Sequence, residues 1–190
     1  MENIDHIIHA RRSHFLADFS GAKLPDALIR RLLEHAHQAP SHKATFPWRF
    51  TVFQGAALEH LAQEMVAWHE AQGEPGSFPA DKKAKILSYP QKVSHILGIG
   101  VHLSGKVPAW EEDAATAMAV QNIYLTLAAE PHAAGYWSTG NGTGSEQMRQ
   151  LCGFDAQTLH RGWFLLGHVD VKRTKAGRPP LEQVVTFKSY

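Results

Sequence analysis

The chain has 190 residues, 44% of them hydrophobic and 19% charged, with a formal net charge of +1. That is enough apolar side chain for a packed core, so residues 1–190 read as a single domain rather than a disordered chain. The near-neutral balance gives no electrostatic case for nucleic acid or an anionic membrane as partner, and the one cysteine, Cys152, excludes an internal disulfide or a cysteine-rich metal site.

Residues 3–12 carry Ile4, Ile7 and Ile8 at helical spacing, and Arg11-Arg12 falls in the last turn, where cations suit the dipole. After a loop at Gly21, Pro25-Asp26 opens a second helix with Leu28, Leu32, Leu33 and Ala36 as its buried stripe, ending near Pro40-Ser41. A polar loop over 41–47 precedes an alternating strand, Trp48 to Phe53. Residues 56–72 return to helical period through Leu58, Leu61, Met65 and Trp68. A Gly/Pro loop over 73–80 and a short helix over 80–88 follow. Ile96 to Leu103 reads as an inner strand, and 109–129 as a long, buried central helix with Glu111, Glu112 and Asp113 in its first turn and Met118, Ile123 and Leu127 in its core. Tyr136-Trp137 begins a short strand, Gly140 to Gly144 a turn, 145–151 a helix, and Gly162 to Val171 the clearest strand. The start Met1-Glu2-Asn3-Ile4-Asp5 lacks a signal-type core, and no apolar run approaches the roughly 20 residues that span a bilayer, so a soluble, cytoplasmic protein is expected.

Basic residues bunch at Arg11-Arg12 and again from Arg173 to Arg178, pairs that suit a single phosphate group better than a polyanion. Arg11-Arg12-Ser13 joins two guanidinium forks to a hydroxyl; taken alone, it reads first as a solvated helix end with favourable charges. The loop Pro40 to Phe50 offers Lys43 for an electron-rich or reduced, anionic ring and His42 as a donor to a carbonyl or hydroxyl; it reads equally as a surface loop anchored by Trp48. Trp68, Phe78 and Trp110 are candidates for an aromatic slot, though each also suits packing. The thirteen histidines show no HExxH pattern, so no metal is expected. Gly140 to Gly144 is not a phosphate loop, since no Lys-Ser/Thr follows, and no side chains are singled out as a catalytic acid or base.

The ordered set Arg11-Arg12-Ser13, Phe19, Leu28 to Leu33, Ala39-Pro40-Ser41 and Pro47-Trp48-Arg49-Phe50 resembles the opening of FMN-dependent nitroreductases. Val107 to Glu111 with its Ala-rich helix resembles the compact branch of that family. Gly135 to Gly140, Gly162 to Gly167 and Arg178 to Leu181 extend the resemblance over nearly the whole chain.

The resemblance implies an α+β fold, with a central, mainly antiparallel sheet flanked by helices, in a homodimer that exchanges C-terminal tails. It implies FMN at the interface and hydride passed from NAD(P)H through flavin N5 to a nitroaromatic, quinone or similar small acceptor. Carried over by position, Arg11, Arg12 and Ser13 hold the FMN phosphate and ribityl chain. Pro40, Ser41, His42 and Lys43 reach the flavin, Trp137, Ser138 and Thr139 border its ring, and Arg178 and Lys175 return to the phosphate. The chain departs from the family pattern at Ala44 and Phe46, where many members have Asn and Gln, at His14-Phe15, where larger members carry a basic residue, and at Pro131, which should end the preceding helix early. These departures keep open a non-catalytic flavin-binding or redox-sensing module, or a dedicated flavin dehydrogenase of one metabolite.

Overall fold

The computed structural model describes residues 3–173 and 177–190. Four strands, β1 (Trp48–Phe53), β2 (His95–His102), β3 (Ala133–Ser138) and β4 (Thr158–His168), form one antiparallel sheet in the order β1-β2-β4-β3. Seven α-helices accompany it: α1 (Ile4–Ala10), α2 (Asp26–His37), α3 (Ala56–Glu70), α4 (Ala80–Leu87), α5 (Tyr89–Lys92), α6 (Ala109–Ala129) and α7 (Glu146–Leu151). The fold is α+β, as the resemblance implied, and no helix among the described residues is long and apolar enough to cross a membrane.

Successive residues of the inner strands point to opposite faces, and each face has its own core. Ile96, Trp163 and Leu165 pack with Phe53, α3 and α7, while Leu97, Ile99, Phe164 and Leu166 pack with Trp48, α2 and α6. Burial on both faces explains why β2 reads as an unbroken apolar run.

Several elements differ from the sequence expectation, each for a visible reason. β3 begins at Ala133, ahead of Tyr136, because three small residues let the strand lie close to its neighbours; a Cβ at Gly135 would stand 2.5 Å from the Phe164 ring. β4 begins at Thr158, ahead of Gly162, because Thr158, Leu159 and His160 pair with His102, Val101 and Gly100 across an irregularity in register. It ends at His168, and Val171 is exposed. Helix α5 is an extra turn that Pro90 permits from the first-turn position, where its missing N–H costs nothing. Helix α6 buries Ala115, Ala119, Val120, Ile123 and Leu127 but leaves Trp110, Ala114, Ala117 and Met118 on an outer face. Helix α1 buries nothing within the chain, so Ile4 and Ile8 also form an uncovered apolar stripe.

His160 is 1% exposed, lies with its ring centroid 4.4 Å from that of Trp163 at a tilted 59° angle, and has no hydrogen-bond partner at either ring nitrogen. Burial pushes its pKa down to about 4. In the unfolded chain the imidazole titrates near its ordinary value, so below about pH 6.5 the unfolded state takes up a proton that the folded state refuses. Stability should therefore fall as pH drops from about 6.5 and level off near the folded pKa, the contribution of this group amounting to about 3 kcal/mol. Thermal unfolding followed between pH 7 and pH 4 checks this, with a shallower fall expected for His160→Leu.

Candidate functional site

Helix α1 ends at Ala10, and the Arg11 N–H closes its last turn on Ile7 O at 3.0 Å. The sequence reading placed both arginines inside that turn. Instead Arg11 caps the helix and Arg12-Ser13 continue as extended chain beside α6. The Arg11 guanidinium lies over the Tyr124 ring, 5.2 Å from its centroid. Arg12 Nη1 donates to the Arg11 carbonyl, while its buried Nε has no partner. Ser13 Oγ stands 3.4 Å from the Tyr124 hydroxyl, which accepts the Trp137 N–H at 2.7 Å. One phenol on α6 thus ties the Arg-Arg-Ser segment to β3.

His14, 3% exposed, is a second tie. Its backbone N–H donates to Gly135 O at 3.2 Å, Nδ1 faces Arg12 O at 3.3 Å, and Nε2 accepts the Arg173 N–H at 2.8 Å. Burial lowers its pKa, which fits a neutral ring that donates from Nδ1 and accepts at Nε2. Arg173 is held by Asp18 at 2.6 and 2.9 Å, and its guanidinium lies 5.0 Å from the centroid of the Phe15 ring. This pairing holds the Asp18 carboxyl below its ordinary pKa. Lys172 Nζ donates to Leu127 O at 2.9 Å and to Ala133 O, capping the C-terminus of α6, and burial pushes its pKa down to about 8.

These anchors surround a cleft of about 580 Å³ lined by Arg11, Arg12, Ser13, Phe15, Lys172, Arg173 and Arg178. It carries five cationic side chains and no carboxylate in its lining. Phe15 also borders an adjoining pocket of about 370 Å³, which contains Ser138, Tyr136, Tyr89, Lys82 and Lys85. Thr139 follows on the exposed end of β3.

The loop at Pro40–Lys43 lies elsewhere. His42 Nδ1 meets Glu111 Oε2 at 2.5 Å and Lys43 Nζ donates to Lys106 O at 3.2 Å, both near the start of α6. Ser41 Oγ accepts the Phe46 N–H at 2.9 Å. At the helical rise, Glu111 and Tyr124 are about 20 Å apart along α6. Within one chain, therefore, Arg11, Arg12, Ser13 and Arg178 share a cleft, Trp137 is tied to it and Ser138 lines the next pocket, whereas Pro40, Ser41, His42 and Lys43 stand at the other end of the helix. Lys175 lies outside the described residues. Lys43, Ala44 and Phe46 have φ of 51°, 51° and 45°, left-handed values that cost non-glycine residues energy and cluster at functional loops.

Sequence reasoning missed Lys172 and Arg173 as residues that line the cleft, and Tyr124 and His14 as the groups that anchor its walls. Arg173 belonged to a visible basic bunch, but a lone tyrosine inside an Ala-rich helix carries no motif. Among the described residues, no group of three or more His, Cys, Asp or Glu side chains is placed to hold a metal.

Residues 8–168 match the profile of the nitroreductase family. The chain belongs to the nitroreductase family, and with it to the oxidoreductases. YdjA of Escherichia coli, provisionally named an NAD(P)H nitroreductase, is 26% identical over 156 residues, covering 80% of this chain and 81% of the relative. A nitroreductase-like family protein from Bacillus cereus superposes with a TM-score of 0.79 at 21% identity, covering 100% of this chain and 98% of the other. The NADPH:FMN oxidoreductase of Vibrio harveyi, solved with NAD+, superposes with a TM-score of 0.73 at 16% identity, covering 100% of this chain and 78% of the other.

In this nitroreductase-family chain the Tyr124 hydroxyl ties α6 to the Trp137 N–H at 2.7 Å. Tyr124→Phe should leave that amide unpaired and cost about 1–2 kcal/mol of stability, measured by urea unfolding.

Proposed function

We propose that the chain binds FMN and passes hydride from NAD(P)H to a small acceptor such as a nitroaromatic or quinone. The observation that carries this reading is the cleft of five cations with a buried, unpartnered Arg12 Nε, which shares Phe15 with a neighbouring pocket walled by aromatic rings. A dianionic phosphate supplies the acceptor oxygens that guanidinium forks match, and a planar ring suits walls made of Phe15, Tyr89 and Tyr136. The names of YdjA and of the Vibrio enzyme support NAD(P)H and FMN as partners.

FMN, when bound, supplies the two-electron chemistry, and the residues of this chain supply position and electrostatics. Arg11, Arg12, Ser13 and Arg178 hold the phosphate and ribityl end, with Lys172 and Arg173 adding charge. Trp137 and Ser138 sit at the ring end, where the bond from Trp137 N to Tyr124 fixes the height of β3. Aromatic walls exclude water from the reacting face. A dependence on NAD(P)H and a single cysteine support reading the protein as cytoplasmic.

The working unit in this reading is a homodimer. The outer face of α6, the bare stripe of α1 and the exposed tail residues Val184 and Phe187 are apolar surface that a second copy would cover. In such a dimer the loop over 40–43, which leads into the strained Lys43, Ala44 and Phe46, would complete the site of the other subunit, which would account for its distance from the cleft of its own chain, and the tails would exchange.

The purified protein should be yellow, and NADPH should bleach it anaerobically; a colourless protein that fails to take up added FMN would sink the proposal. Arg12→Ala should weaken FMN binding by about 10- to 100-fold, the range set by one lost charge-assisted hydrogen bond, while changing the unfolding midpoint little. Fluorescence titration with FMN and a thermal melt separate the two effects.

A further inference from the structure

We propose that Lys82 and Lys85 on α4 provide the positive charge that stabilises reduced FMN, and so set how readily the cofactor accepts hydride. The inference rests on the FMN reading above and adds to it the residues that tune the ring.

The sequence offered Lys43 for this role, but its Nζ donates to Lys106 O at the other end of α6, so it can reach only a partner's site and not the cleft of its own chain. The pocket that adjoins the phosphate cleft through Phe15 and contains Ser138 is lined instead by Lys82 and Lys85. Three residues apart on a helix, they share one face. The lysine between them is turned elsewhere, since Lys83 Nζ pairs with Glu70 at 2.7 Å. Among the described residues neither Lys82 nor Lys85 forms an ion pair, and no carboxylate lines their pocket. The buried Ile86 seats α4 in the core, so the two ammonium groups are carried by a fixed helix. The rest of the wall is aromatic: Phe15 and Tyr136 lie 5.2 Å apart, and the rings of His69 and Phe78 stack at 4.5 Å.

The chemistry needs a cation there. Bound FMN would take a hydride, a proton with two electrons, from NAD(P)H, which would leave as NAD(P)+, and the reduced cofactor would carry one added negative charge until an acceptor took the hydride. Lys82 and Lys85 are themselves exposed, and an ammonium at the rim of a pocket walled by aromatic rings would lower the energy of that added charge more than it affects the neutral oxidised ring.

The test uses FMN-loaded protein and the double variant Lys82→Gln/Lys85→Gln. Affinity for oxidised and for reduced FMN is measured by anaerobic titration, and the midpoint potential by equilibration with a reference dye. The double variant should lose about tenfold or more of its preference for reduced over oxidised FMN, equivalent to a fall of about 30 mV in a two-electron couple. Affinity for oxidised FMN should change far less. Lys82→Arg/Lys85→Arg should keep the potential, and Lys83→Gln should leave it in place. An unchanged potential in the double Gln variant overturns the proposal, as does an equal shift in Lys83→Gln, which would indicate a general field effect. An unchanged potential with a raised KM for anionic acceptors overturns it too and assigns the lysines to the substrate. Wild-type protein that binds no FMN overturns the functional reading itself, an outcome distinct from FMN bound at an unaltered potential.

Discussion

Like charges repel, and five cationic side chains are held around one cleft. The structure meets this constraint by giving most of them an anchor outside the space they surround. Arg11 rests on the Tyr124 ring, Arg12 reaches the Arg11 carbonyl, Lys172 caps α6, and Arg173 is locked to Asp18. None of these anchors needs an anion in the cleft, so the charges are in position before a ligand arrives. Preorganisation of this kind moves the cost of assembling the cations from the binding step to the folding of the chain. The unpartnered Nε of Arg12 is the part of that cost left open.

The sheet serves the cleft by setting where β3 and the segment after β4 stand. Gly135 admits the Phe164 ring, and a Cβ at Gly167 would meet the Phe19 ring at 2.4 Å, so both glycines are required by close approach. Bringing these strands together puts Gly135 O opposite the His14 N–H and delivers Lys172 and Arg173 directly beyond β4. The core on the α2/α6 side holds Tyr124 against Phe164, ring centroids 4.8 Å apart, which aims its hydroxyl at both Ser13 and Trp137.

Long periodic elements were legible in the sequence because hydrophobic spacing alone decides them: α2, α3, α6 and β1 stand close to where their patterns end. β3 was half hidden, since Ala133, Ala134 and Gly135 have no strand preference and pair only because their smallness lets neighbours in. The start of β4 was hidden because His160 and Arg161 interrupt an apolar run, although Arg161 is satisfied by Asp113 at 2.7 Å. Met118 read as core because a helix apolar on two sides looks buried in any chain; here one side faces outward. At the candidate site, motif order grouped Arg11, Arg12, Ser13 and Arg178, and they line one cleft. Tyr124, His14 and Lys172 carry no motif, because their partners are ones that only the fold brings near.

The His14 imidazole and its backbone join three parts of the chain: the carbonyl of Arg12, that of Gly135, and the amide of Arg173, 159 residues away. A contact of that span cannot form on a growing chain until its last strand has emerged. The cleft is therefore secured only once β4 and the segment beyond it have docked, so retention of a phosphate ligand depends on the whole sheet and not on the Arg-Arg-Ser segment alone.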